Sequence, residues 1–310
     1  MSENRPGLLS ATTRGILLIA ISSLVIAFVP SFAKLAYEGG ATPSAVVAAR
    51  YPVSFVVLIA IGLISGTRIW PVRSTLRHSF IAGAFALIVG FGFMGSVAYI
   101  DVSLAILIFY LHPVFIGIYG HFAGTHRFHR VQVAGATVAI LGLALALAVD
   151  FDRLDPLGLG LAFMGAIGAT VMILVNSRTT IEIGVIRANL QMTVFAGVLT
   201  ALVVPAVGNF QLPQTGLGWF SLVGAAGGIT IGFLLFFAAV PALGATRATL
   251  ISILEPVFSV LVALILIGET LTPVQWIGVA FVVCGLFAIE LPAGTAGRIK
   301  ERLLASKQPR

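Results

Sequence analysis

Leu111-His112-Pro113-Val114-Phe115 falls over Leu254-Glu255-Pro256-Val257-Phe258 when the chain is laid on itself without a gap. At the same offset, Val131-Gln132 and Gly135 fall over Val274-Gln275 and Gly278, and Gly142-Leu143 over Gly285-Leu286. The protein is an internal duplication. Working outward, apolar segments lie near 14–36, 44–64, 78–99, 102–121 and 131–149 in the first copy. In the second copy they lie near 156–176, 187–207, 217–240, 245–267 and 274–291. Each is about 18–24 residues, the length that crosses a hydrocarbon core of about 30 Å. An odd number of crossings per copy turns the second copy upside down relative to the first. The sequence therefore predicts an all-α integral membrane fold of ten transmembrane helices in two five-helix inverted-topology repeats. Residues 1–150 form the first repeat, 151–292 the second, and 293–310 a basic cytoplasmic tail. Inverted repeats are the frame on which alternating-access transporters are built.

Composition fixes the class independently. Hydrophobic residues make up 59% of the chain and charged residues 9%, with a mean hydropathy of +1.09. A soluble domain of this length carries far more surface charge. The net charge of +7 sits singly in short gaps and a short tail rather than on one face, which argues against nucleic acid as a partner. One cysteine, Cys284, excludes a disulfide framework and a Cys-based metal site. The gaps leave no room for a soluble domain.

The placement of Lys and Arg sets the orientation. With a cytoplasmic N-terminus, 15 of them fall inside, among them Arg68, Arg73, Arg77, Arg178, Arg187 and Arg247. Only Lys34 and Arg153 fall outside, and Arg50 lies within the second span. This bias puts both termini in the cytoplasm. Asp150, Asp152 and Asp155, with Trp219 and Trp276, fall on the outer side. Arg14, the following apolar run and Ser31-Phe32-Ala33 imitate a signal peptide. The run is long for such a peptide, and cleavage would leave nine spans and break the pairing of halves.

Several polar residues fall where polarity is costly. Glu255 lies about 15 Å into the ninth span, where a charged carboxylate costs roughly 2.5–3.5 kcal/mol, so it must be protonated, hydrated or paired. Pro256 beside it kinks the helix and frees a carbonyl one turn earlier. Two readings stand: an interhelical hydrogen bond that holds the bundle, or a proton carrier. His112, followed by Pro113, occupies the repeat-equivalent place in the fourth span, either carrying a proton or bonded to a neighbouring carbonyl. Arg50 is about 10 Å deep in the second span, placed to clamp a substrate carboxylate or to pair with an acid. Tyr110, Tyr99 and Ser22 are further candidates to face a substrate path, and Pro30 is a third helix-kink position. Lys34 reads as an interface anchor. The loop histidines His121, His126 and His129 lack the spacing of a metal motif. No nucleotide- or cofactor-binding fingerprint occurs, so no cofactor and no enzymatic activity are expected.

The run Leu243-Gly244-Ala245-Thr246-Arg247-Ala248, then Leu254-Glu255-Pro256-Val257-Phe258, Gly268-Glu269 and Gln275-Trp276-Ile277-Gly278, resembles the EamA family of the drug/metabolite transporter superfamily. The first half repeats it more loosely in Asp101-Val102-Ser103-Leu104-Ala105 and Leu111-His112-Pro113. The resemblance spans the whole chain. It implies a ten-span exporter of small organic molecules in the bacterial inner membrane, of amino acids or other metabolites. The family often carries tryptophan and asparagine in the first span. This chain has Ser22, Ser23, Phe28 and Pro30 there, so an aromatic platform would be built of phenylalanine.

The expected function is secondary transport of a small metabolite, an amino acid first, by alternating access between the repeats. Multidrug transport, or transport of a purine or sugar derivative, is the alternative. A membrane-integral enzyme or structural protein is a more distant one. The expected partners are the substrate, the lipid bilayer and, if coupled, protons; the sequence sets no oligomeric state, and a monomer is compatible with it. The substrate cavity is expected between the halves, lined by the first, third, fourth, sixth, eighth and ninth spans.

Overall fold

A computed structural model of the chain describes residues 10–96, 99, 100, 102–124, 130–147, 154–207, 210–267 and 272–290. Asp101, His126, His129, Asp150, Asp152, Gly268-Glu269 and the tail 293–310 lie outside the described residues. The described chain is built of α-helices, with one short 3-10 turn at Arg73–Thr75 ahead of α4. In the first half these are α1 (Ala11–Ala27), α2 (Val29–Glu38), α3 (Pro43–Ile64), α4 (Leu76–Ser96), α5 (Val102–Phe109), α6 (His112–Phe122) and α7 (Arg130–Ala146). In the second they are α8 (Pro156–Ile183), α9 (Val185–Val207), α10 (Gly216–Leu243), α11 (Ala245–Ile251), α12 (Leu254–Ile267) and α13 (Pro273–Glu290).

Local chemistry explains the helix starts. Ser10 caps α1 by accepting from the Thr13 N–H, and Asp155 caps α8 by accepting from the Leu157 and Gly158 N–H groups. Pro43 and Pro156 each sit at a first turn, where a missing N–H costs nothing.

Among the described residues, seven stretches are long and apolar enough to cross a membrane: Ala11–Glu38, Pro43–Ile64, Arg73–Phe93, Leu104–Phe122, Pro156–Ile183, Val185–Ala206 and Gly216–Leu243. Helices α7 and α13 are apolar but shorter, and α11–α12 is interrupted at Ser252 and Ile253. The helices α8 and α10, at 28 residues each, outrun the apolar segments marked in the sequence. At 1.5 Å per residue they are about 42 Å long, enough to pass the hydrocarbon and reach the headgroups. A single residue separates each from the next helix: Gly184 at φ 88° and Gly244 at φ 76°. Only glycine takes that backbone conformation cheaply, and it reverses the chain with no loop at all.

The most extensive helix contacts all run between the halves: α7 on α13, α4 on α8, and α1 on α10. Under the repeat offset the first pair maps onto itself and the other two map onto each other. The halves interlock instead of sitting side by side. With lipid as apolar as leucine, close van der Waals packing must hold these faces together. Small residues allow it: a methyl group built on Gly142 would lie 2.6 Å from the Val282 nitrogen and 2.8 Å from the Gly278 carbonyl.

The two ends of the bundle are tied by a matched pair of clasps. At one end the Thr42 N–H donates to the Gln211 carbonyl at 3.0 Å, and the Gln214 N–H donates to the Gly39 carbonyl at 2.8 Å. At the other, Arg187 donates to the Arg68 carbonyl, Thr75 to Gln191 Oε1 at 3.1 Å, and Gln191 to the Val72 carbonyl at 3.2 Å. The first clasp joins the α2–α3 and α9–α10 connections. The second joins the first two turns of α9 to the α3–α4 connection, the repeat mate of the α9–α10 connection. The second end also gathers Arg68, Arg73, Arg77, Arg178 and Arg187.

Candidate functional site

Helix α3 carries Arg50 inward through two sequence choices. Thr42-Pro43 starts the helix at one end, and Pro52 removes the N–H that would have bonded the Ala48 carbonyl. The half-buried Arg50 lies against two aromatic faces, its Cζ 5.6 Å from the Tyr51 ring centroid and 5.0 Å from that of Phe233. Such cation–π contacts stabilise a desolvated guanidinium by about 2 kcal/mol without neutralising it. Among the described residues Arg50 makes no ion pair or hydrogen bond.

A cavity of about 20 Å³ opens beside it, with room for a single water. Ser54, Asn189, Thr193 and Thr230 supply its polar wall, and its lining contains no carboxylate. The Tyr51 hydroxyl, also at this wall, is buried without a hydrogen-bond partner among the described residues. Ser54 Oγ lies 2.5 Å from Thr230 Oγ1, joining α3 to α10. Asn189 receives the Asn176 amide at 3.5 Å, joining α9 to α8. A cation with unspent donors and a polar wall free of acids form an anion-binding arrangement.

The lining comes from α3 and α4 of the first half and α9 and α10 of the second, which are the second, third, seventh and eighth spans. The cavity thus lies between the halves. Of the spans expected to line a substrate path, this cavity involves the third and eighth, and it adds the second and seventh. The interlocking brings these four spans together, since α3 and α9 pack against each other and against α10 and α4 respectively.

The fourth and ninth spans break where the duplicated motif begins. Helix α5 ends at Phe109 and α6 starts at His112, with Pro113 in its first turn. Helix α11 ends at Ile251 and α12 starts at Leu254, with Glu255 and Pro256 in its first turn. The two breaks bring Tyr110 and Glu255 together, the phenol and the carboxyl group interacting across the halves. The His112 Nδ1 lies 2.9 Å from the Phe109 carbonyl, and its ring lies 5.7 Å from that of Tyr110. His112 and Tyr110 are buried and Glu255 is half-buried.

The other residues singled out in the sequence sit elsewhere. Ser22 is buried on α1 and donates to the Gly232 carbonyl of α10 at 2.7 Å, so its proton is used in packing. Tyr99 follows α4, is 47% exposed, and its Cβ packs on Gly158. Pro30 stands in the first turn of α2, after the break at Phe28. Phe32 packs edge-on against Phe220 of α10, 6.1 Å between centroids. Among the described residues no three His, Cys, Asp or Glu side chains gather as metal ligands.

The model of the EamA-like transporter family matches residues 13–148 and again 156–291. The chain belongs to the EamA-like transporter family. The two matches are displaced by the same offset as the duplicated strings. Among curated proteins this EamA chain is 22% identical over 254 residues to the uncharacterized inner membrane transporter YedA of Escherichia coli strain K12. The match covers 78% of this chain and 79% of YedA. YedA of the O157:H7 strain gives the same values. A solved structure, described only as a crystal structure of protein, superposes with a TM-score of 0.75 at 20% identity. It covers 89% of this chain and 97% of the other, a likeness of fold. As an EamA member of the drug/metabolite transporter superfamily, the protein is a membrane transporter.

In this EamA sequence nothing marks Tyr51, Asn189 or Thr230 as neighbours of Arg50, and Ser54 and Thr193 are marked only weakly. Ser54 stands one helical turn from Arg50, and Thr193 is the repeat mate of Arg50. Hydroxyls are frequent in apolar helices, where they bond the carbonyl four residues back. They therefore do not stand out in a single sequence.

Proposed function

We propose that the protein exports small organic metabolites, amino acids first among them, across the cytoplasmic (inner) membrane by alternating access between its two repeats. The observation that carries this reading is Arg50: a half-buried cation without a counter-ion among the described residues, beside a polar cavity between the halves. A buried charge of this kind is costly unless an anion is drawn to it. A carboxylate fits the guanidinium fork in two parallel hydrogen bonds. The cavity is too small for an amino acid as it stands, so loading requires the helices to part. The Pro113 and Pro256 breaks serve as pivots for that motion, and the small-residue faces let the halves slide at low cost. Tyr110 and Glu255, meeting across the halves, are the candidate proton site, with His112 beside them.

The test is counterflow of labelled amino acids in liposomes containing the purified protein. Arg50→Gln is expected to abolish it and Arg50→Lys to keep a fraction, since lysine retains charge but not the bidentate fork. Unchanged counterflow in Arg50→Gln refutes the assignment. Counterflow of purines or sugar derivatives without any of amino acids transfers the function to the alternative substrate class.

A further inference from the structure

We propose that Ser54 is the acceptor for the ammonium group of a zwitterionic substrate whose carboxylate lies on Arg50, so that the cavity selects amino acids over their deaminated analogues. The proposal rests on the carboxylate reading of Arg50 given above. Its basis is the direction of a hydrogen-bond chain. Thr230 Oγ1 lies 2.7 Å from the Ala226 carbonyl oxygen. A carbonyl only accepts, so the single hydroxyl proton of Thr230 lies between these two atoms. Ser54 Oγ lies 2.5 Å from Thr230 Oγ1, and that contact needs a proton too. Thr230 has none left, so Ser54 donates its own.

Ser54 is then left with lone pairs alone. The residue is 5% exposed and borders the same cavity as Arg50. It stands four residues after Arg50 on α3, on one face of the helix. Arg50 makes no hydrogen bond to it. One wall of the cavity therefore offers a cation and, one turn away, an oxygen that can only accept. A carboxylate placed on Ser54 would set acceptor against acceptor, whereas an ammonium group supplies the missing N–H donor. An α-amino acid carries both groups on one carbon and satisfies both positions in one orientation. A 2-oxo acid of the same skeleton presents a second acceptor where the ammonium group stood. The loss of one charge-assisted hydrogen bond predicts a preference of about 10–100-fold for the amino acid.

The experiment measures thermal stabilisation of the detergent-solubilised protein by a panel of amino acids and their matched 2-oxo acids. Inhibition of counterflow by the same panel is measured in liposomes. In the native protein the best amino acid is expected to act at least 10-fold more tightly than its 2-oxo partner. Ser54→Ala is expected to bring the amino acid down toward the 2-oxo acid. Thr230→Val frees the Ser54 proton to turn into the cavity and donate, so it is expected to improve the 2-oxo acid. Gel filtration and unliganded melting of both variants report folding, and the native-protein comparison needs no variant. Equal action of amino and 2-oxo acids, with both lost in Arg50→Gln, overturns the role of Ser54 and leaves Arg50 standing. A panel without effect, or one indifferent to Arg50→Gln, overturns both.

Discussion

Gly142 and Gly278 lie in backbone contact between α7 and α13, and their repeat mates Gly285 and Gly135 make the same contact one step along the same pair of helices. A methyl group on Gly285 would stand 2.5 Å from the Gly135 carbonyl. Both contacts join residues that the duplicated strings had already aligned. The pseudo-two-fold axis therefore passes through this helix pair, and side-chain volume there is excluded from both directions.

Gly278→Leu is expected to separate α7 from α13 and destabilise the protein by about 3 kcal/mol or more, beyond ordinary overpacking because backbone rather than side chain is in the way. Loss of the monodisperse gel-filtration peak after mild heating measures it. A variant as heat-resistant as the native protein refutes the contact.

Tyr110 and Glu255 give a second expectation. Glu255→Gln keeps a partner for the Tyr110 hydroxyl, so the protein should remain folded while its transport loses any response to an imposed pH gradient. Tyr110→Phe removes the hydroxyl that meets Glu255 and should leave the gradient response in place. Unaltered gradient-driven flux in Glu255→Gln means that Glu255 carries no proton.

The clasp between Thr42 and Gln211 must open for the cavity to reach that end of the bundle. Thr42→Cys with Gln211→Cys, in a Cys284→Ser background, places two thiols on residues already joined by a backbone hydrogen bond. That spacing suits a disulfide. Oxidation is expected to stop counterflow and reduction to restore it. Full activity in the oxidised protein shows that this end stays shut throughout transport.

The gathering of Arg68, Arg73, Arg77, Arg178 and Arg187 at one end predicts the cytoplasmic side by the positive-inside rule. Reporter fusions at either terminus should be active only in the cytoplasm. Single cysteines at Gln214 should react with impermeant reagents added from outside. Labelling only after the membrane is opened inverts the topology.

Much of the fold was legible because repetition and composition are properties of the chain itself. The offset between Leu111 and Leu254 gave the duplication. The apolar segments gave the membrane class; in the structure the fourth and ninth spans break just ahead of Pro113 and Pro256. The sequence misjudged the length of α8 and α10. Polar residues such as Asn176, Ser177 and Arg178 look like the end of a span, yet the helix continues through them to Ile183 until Gly184 turns the chain.

Facing is what the sequence could not supply. In water, an amphipathic helix declares its buried side by its pattern of apolar residues. In lipid both the outside and the packed inside are apolar, so α3 and α10 carry no such stripe. Arg50 was conspicuous because a charge in hydrocarbon is costly wherever it points. Ser54 and Thr230, 176 residues apart, were not, because each hydroxyl can satisfy itself on its own helix. The sequence by itself determined the duplication, the membrane class and the positions of charge. Only tertiary structure decided which hydroxyls share a wall with Arg50, because that depends on how two interlocked helices are rotated against each other.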